Sequence, residues 1–205
     1  MVNCRFVRNS SSAIGNYGSS PRLTNCIFVA NEVGMVNGVL HPNNPIPSRP
    51  DVVNCTFAAS GIINSPESGS VVTNCILWGN IYPQNDTESS RIKGGTVVVN
   101  NSCIQGWSGE LGGAGNLGLD PAFADPNGPD GKIGTLDDNL RLKPGSPCRD
   151  AGDNSALGAD TLDLDGDGDL NEPIPFDIEG RPRIQNGRVD IGAYESDSPA
   201  SGGRP

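Results

Sequence analysis

Histidine is nearly missing from this chain of 205 residues, where His41 is the only one, and aromatic residues make up 5%. No Ser-His-Asp order and no phosphate-cradling glycine loop can be traced, so triad hydrolysis and nucleotide binding have no residues to rest on. His41 itself lies in His41-Pro42-Asn43-Asn44-Pro45, which reads as a turn. The six cysteines include no CxxC pair, so a zinc knuckle lacks its ligands. No run of 18 apolar residues is present, so no helix of this sequence is expected to span a membrane. No signal-peptide pattern is visible at the N-terminus. Bases are scarce too. Fourteen Lys and Arg stand against 24 Asp and Glu, giving a net charge of -10, which argues against nucleic acid as a partner. What the chain has in abundance is 28 Gly and 17 Pro, the composition of a turn-rich β protein.

Within residues 1–110 one short phrase recurs: Val2-Asn3-Cys4-Arg5-Phe6, Thr24-Asn25-Cys26-Ile27-Phe28, Val53-Asn54-Cys55-Thr56-Phe57 and Thr73-Asn74-Cys75-Ile76-Leu77. A fifth, degraded copy is Asn101-Ser102-Cys103-Ile104. The cysteines are 22, 29, 20 and 28 residues apart, so a fixed unit alternates with loops of variable length, as in a solenoid. Asn tolerates left-handed backbone and suits a sharp bend between a β-prone run and the short apolar run after it. A second polar position follows each Cys by five residues: Asn9, Asn31, Ser60, Asn80 and Ser108. These pieces are too short for helices. The reading is all-β: a right-handed parallel β-helix of about five coils.

In that geometry equivalent residues stack at about 4.8 Å. Asn should lie above Asn with amides bonded along the stack. Cys4, Cys26, Cys55, Cys75 and Cys103 should form one interior column, and Phe6, Phe28, Phe57 and Leu77 another. Parallel in-register strands aim neighbouring side chains the same way, which a disulfide torsion disfavours, so the column is expected to be mostly reduced. Cys148 lies outside the repeat and is the expected partner in any single bridge.

The acidity is confined to the C-terminal part. Residues 111–205 hold eighteen acids against eight bases, whereas residues 1–110 balance at six and six. Asp163, Asp165, Asp167 and Asp169, with Gly168 for the turn, match the first half of an EF-type calcium loop, extended by Asn171 and Glu172. The twelfth position is Ile174 where that pattern needs a bidentate Glu, so the missing ligand must come from Glu172, Asp177 or elsewhere. A second candidate runs through Asp125, Asn127, Asp130, Asp137 and Asp138, where oxygen ligands surround glycine turns. The expected cofactor is Ca²⁺.

Three ordered motifs carry a family resemblance: Leu140-Arg141-Leu142-Lys143-Pro144-Gly145-Ser146-Pro147-Cys148-Arg149-Asp150-Ala151-Gly152-Asp153, Asp177-Ile178-Glu179-Gly180-Arg181-Pro182-Arg183 and Val189-Asp190-Ile191-Gly192-Ala193-Tyr194-Glu195. Together with the lead-in Asp120-Pro121-Ala122-Phe123, residues 115–196 resemble the choice-of-anchor Q domain. Cys148-Arg149 departs from that family's usual Ala-Ile. The resemblance implies a secreted or cell-surface bacterial β-helix protein whose C-terminal module closes the end of the helix. The expected division is coils at 1–110, a calcium-binding cap at 111–196 and a flexible tail at 197–205.

On function, the expectation is a non-catalytic extracellular scaffold that self-associates through its open first coil, because Met1 leads straight into a repeat strand and strand edges accept further strands. That start also suggests a piece of a longer protein. The alternative is a polysaccharide lyase or glycan-binding β-helix, with Arg5, Arg22, Arg49, Arg91 and Lys93 beside Asp51, Asp86 or Glu88, and Trp78 and Trp107 for sugar stacking. Asn9, Asn54, Asn85 and Asn100 carry weak glycosylation sequons.

Overall fold

A computed structural model describes residues 1–41, 43–79 and 87–197. Short strands follow one another around a coil: β1 (Arg5–Val7), β2 (Ser12–Tyr17), β3 (Arg22–Thr24), β4 (Ile27–Val29) and β5 (Val33–Gly38). They continue as β6 (Asp51–Val53), β7 (Thr56–Ala58), β8 (Ile62–Asn64), β9 (Gly69–Thr73) and β10 (Ile76–Trp78). After the one-turn helix α1 (Glu88–Arg91) come β11 (Ile92–Lys93), β12 (Thr96–Asn100) and β13 (Cys103–Ile104). Every third strand pairs in parallel, giving sheets ordered β1-β4-β7-β10-β13, β2-β5-β8-β11 and β3-β6-β9-β12. This is a parallel β-helix with five rungs on one sheet and four on each of the others.

The repeated asparagine makes the bend. Asn3, Asn25, Asn54, Asn74 and Asn101 all have φ between 46° and 54°, the left-handed region that Asn adopts more readily than other residues bearing a Cβ. The N–H after the bend falls between two sheets and would be orphaned there. A side chain of the next coil takes it instead. Cys26 N donates to Cys55 Sγ at 3.3 Å, Cys55 N to Cys75 Sγ at 3.4 Å and Cys75 N to Ser102 Oγ at 3.0 Å. Each of those side chains donates back two residues, as in Cys55 Sγ to Val53 O at 3.3 Å and Ser102 Oγ to Asn100 O at 2.8 Å.

The expected sulfur column therefore holds for Cys4, Cys26, Cys55 and Cys75 and fails at Cys103. Cys103 pairs with Ile76, and Ser102 occupies the corner position. A slip of one residue turns a strand side chain to the opposite face. Cys103 lies on the outer face, buried against Cys148, and all six cysteines are free thiols. Inside, Phe6, Phe28 and Phe57 stack with ring centroids 4.8 and 4.3 Å apart, and Leu77 and Ile104 extend the column in register. Each fully buried ring or branched chain contributes about 1.5–3 kcal/mol.

The amide ladder expected at the corner is displaced. Only Asn74 Nδ2 reaches Asn54 Oδ1 there, at 3.4 Å. The continuous ladder runs inside β2, β5 and β8, where Asn16 donates to Asn37 and Asn37 to Asn64, both at 2.8 Å. The second polar position does stack at Asn9, Asn31 and Ser60. Asn80, Asn85 and Asp86 lie outside the described residues, as do 198–205. Ser108 leaves the stack, its N–H donating to Glu88 Oε2 at 2.7 Å.

Residues beyond 119 do not close the end of the helix, contrary to expectation; they lie along its flank. The last coil is covered by the segment that follows it, where Leu117 bridges to Cys103 and Trp107 and Leu111 pack on the interior core. The chain then forms an antiparallel pair, β14 (Phe123–Asp125) with β15 (Asn139–Leu142), and continues almost without regular structure. The outer face of β4, β7, β10 and β13 offers Ile27, Val29, Ala58, Ile76 and Cys103. Phe123, Leu140, Leu142, Cys148, Ile191, Ala193 and Tyr194 cover it in a second core. The corner asparagines, freed from a ladder, serve this docking: Asn25 Nδ2 donates to Phe176 O, Asn54 Nδ2 to Asp190 O and Asn74 Nδ2 to Asp153 O. Gly192, at φ +105°, passes so close that a Cβ would lie 2.8 Å from Ile76 Cδ1 and 2.9 Å from Thr56 Oγ1. Among the described residues, no helix is long and apolar enough to cross a membrane.

Candidate functional site

The acidic loop is the tip of a narrow antiparallel ladder. Asp160 N donates to Glu172 O at 2.8 Å and Ile174 N to Gly158 O at 2.9 Å, with Ala159 bridged to Pro173 between them. Ile174, where an EF loop would place its glutamate, is a buried anchor of this ladder. Within the loop each aspartate folds back on a nearby amide. Asp165 Oδ1 accepts from Asp167 N, Asp167 Oδ1 from Asp169 N and Asp169 Oδ1 from Asn171 N. Asp163 Oδ1 accepts from Gly168 N at 3.1 Å, which closes the turn.

These turns bring carboxylates together. Asp163, Asp165 and Asp167 form one group with oxygens within 4.8 Å of one another, and Asp160, Asp165 and Glu172 form another. Asp165 belongs to both. Burial, then the charges of Asp165, Asp167 and Asp169, push the Glu172 carboxyl above its ordinary range. Glu172 Oε1 is buried and has no hydrogen-bond partner. Converging hard oxygens with one left orphaned fit a calcium ion, which takes six to eight oxygen ligands. Asp163, Asp165, Asp167, Glu172 and Asp160 are the residues that would hold it. Asp160 was missed from the sequence because only the ladder makes it a neighbour of Glu172. Asp169 falls outside both groups.

Asp177 is buried and accepts from Glu179 N, Arg181 N and Glu195 N, so backbone amides occupy its oxygens. In the second loop Asp130, Asp137 and Asp138 each bring a carboxylate oxygen within hydrogen-bond reach of the Thr135 hydroxyl. Asp138 Oδ2 accepts from Gly134 N and Thr135 N, Asp130 Oδ1 accepts from Lys132 N, and Asp137 binds the Thr135 hydroxyl, which holds its carboxyl below the usual range. Asp125 ends β14, and Asn127 is exposed on the turn after it. No three carboxylates of this stretch come within 4.8 Å of one another among the described residues.

A third gathering of acids lies under the docked segment. Asp177, Asp190, Glu195 and the guanidinium of Arg183 are all buried, each at most 1% exposed. Arg183 Nη2 donates to the carbonyls of Asp190 and Gly192, and its Nε lies 3.8 Å from Glu195 Oε2, beyond hydrogen-bond reach. Burial pushes the Glu195 carboxyl up to about 8 despite that guanidinium. Burial raises Asp190 as well, against the N–H donors that lower it.

The cationic residues considered for catalysis are placed apart. Arg22 pairs with Asp51 at 2.8 Å on the surface. Arg91 is buried and donates to Gln105 Oε1, while Glu88 is buried accepting N–H groups from Ser108, Gly109 and Leu111. Those backbone donors, working against burial, hold Glu88 below its usual range. Asn54 is fully buried, so its sequon is closed to modification. Arg5 and Arg141 sit 5.7 and 5.9 Å from the Tyr194 ring centroid, at a cleft of about 470 Å³ that also meets Asp137, Asp138 and Glu179. Comparison with protein-family models, with curated proteins and with solved structures finds no match for the chain.

Proposed function

We propose that this protein is a non-catalytic structural β-helix of the cell surface or extracellular space, stabilised by calcium and related to the choice-of-anchor Q family. The observation that carries the reading is the loop between Asp160 and Glu172, at the rim of a docked, loop-rich segment, where two triads of carboxylates share Asp165 and one of them includes Glu172 with its orphaned oxygen. Such a segment has little regular structure to hold its shape, and a cation bound by several of its turns supplies that constraint. Self-assembly belongs to the same proposal. β1, β2 and β3 are the outermost strands of their sheets, and Phe6, half-buried, ends the aromatic column, so a second copy adding strands there would extend both.

The test is thermal unfolding with and without chelator. EDTA should lower Tm and added Ca²⁺ restore it, and an unchanged Tm would remove calcium from the proposal. Sedimentation at high concentration that finds monomers alone would remove self-assembly.

The cleft beside Tyr194 favours a second reading, in which the protein grips surface polysaccharide. Aromatic rings and guanidinium groups suit sugar faces and sugar acids. Unsaturated products released from a polysaccharide panel would overturn the non-catalytic assignment in favour of a lyase.

A further inference from the structure

We infer that Asp150, Asp190 and Glu195 form a second calcium site, separate from the 160–172 loop and buried where the C-terminal segment meets the coils. The three residues come from different turns of the segment, yet a carboxylate oxygen of each lies within 4.8 Å of the others. Asp190 and Glu195 are 1% exposed, and Asp150 is half-buried.

Local hydrogen bonds leave this group unfinished. Asp190 Oδ1 accepts from Asp150 N at 2.6 Å and Oδ2 from Ser196 N at 2.8 Å, and Glu195 Oε2 accepts from Asp190 N at 3.1 Å. Asp150 has only the long contacts of Asn186 Nδ2, 3.3 Å from both oxygens. Glu195 Oε1 is buried with no partner at all. A buried polar atom without a partner is costly, and a buried charged one more so.

The charge points the same way. The Arg183 guanidinium is buried with Glu195, Asp177 and Asp190, and with Asp150 the acids number four. Like charges this close in a desolvated place demand a proton or a cation. The donors are all hard oxygens with no nitrogen or sulfur among them, which favours calcium, magnesium or manganese over the softer transition metals. Calcium, with its irregular coordination, suits ligands delivered by three turns better than the strict octahedron of magnesium. Asp190 also accepts Asn54 Nδ2 through its carbonyl, so an ion here would fasten the segment to the third coil.

The experiment separates this site from the loop. In the full chain carrying D163N, D165N and D167N, the loop loses one triad of carboxylates and the Asp165 carboxylate that the other triad shares. Calcium titration by calorimetry should still show a single equivalent, and adding Asp150→Asn should weaken it about tenfold or more. Asn suits that position because Asp150 has φ +49°. Glu195→Gln, which keeps the oxygen facing Asp190 N–H, should weaken it similarly, with circular dichroism confirming the fold. Absence of any binding in the loop variant, or binding indifferent to D150N, overturns the inference and leaves a proton as the compensating charge. Loss of calcium from the loop alone would count against the proposed function and not against this site.

Discussion

At the residue scale, the cysteines of the repeat prove to be hydrogen-bonding groups as much as fillers. Cys55 and Cys75 each accept the N–H stranded by the preceding coil's bend, and like Cys26 they donate to the carbonyl two residues back. Ser102 does the same with oxygen. Cys75→Ala should therefore cost about 1–3 kcal/mol by leaving Cys55 N–H unpaired, while Cys75→Ser should cost less. Urea unfolding of the two variants decides it; an alanine as mild as the serine would reduce the column to packing. The slip at the fifth copy is hidden in the sequence because Cys103 looks like the fixed point of the phrase. The residue that cannot move is Asn101, whose left-handed φ sets the corner, and counting from it puts Ser102 in the sulfur's place.

At the scale of elements, the bends and the three-strand rhythm were readable because each phrase carries its own turn chemistry. The interior asparagine ladder was not. Asn16, Asn37 and Asn64 lie in strands with unlike neighbours, and only the register of β2, β5 and β8 aligns them. Asn37→Ala should leave Asn16 Nδ2 and Asn64 Oδ1 unpaired and cost about 1–3 kcal/mol for each group so stranded. Asn9→Ala, at the exposed end of the second polar stack, should stay within about 0.5 kcal/mol. Equal losses in denaturant melts would show that the buried ladder contributes nothing special. The calcium loop follows the same pattern: the run from Asp163 to Asp169 shows itself in the sequence, whereas Asp160 joins only through strand pairing across the loop's base.

At the scale of the molecule, the sequence disclosed a repeat and an acidic remainder but not their arrangement. The outward residues Ile27, Ile76 and Ala58 look like ordinary strand residues until something covers them. Gly192 marks the covering. Gly192→Ala should cost roughly 1–3 kcal/mol in backbone strain alone, with further loss from the contacts to Ile76 and Thr56, and should expose the C-terminal segment to limited proteolysis. Gly180→Ala, also at positive φ but with nothing within 4 Å, should bear the strain only. Identical digestion and melting for both would contradict tight docking at Gly192.

The flanking segment touches every coil: Tyr194 meets Arg5, Phe176 meets Asn25, Ala193 N–H meets Thr56, Asp153 meets Asn74 and Cys148 meets Cys103. A free solenoid tolerates gain or loss of a repeat, because each unit contacts only its neighbours. Here an inserted coil would separate those anchor points by one rung, about 4.8 Å, and no turn of the segment could meet its old partner on both sides of the insertion. The segment thus works as a ruler, fixing the number of coils it accompanies.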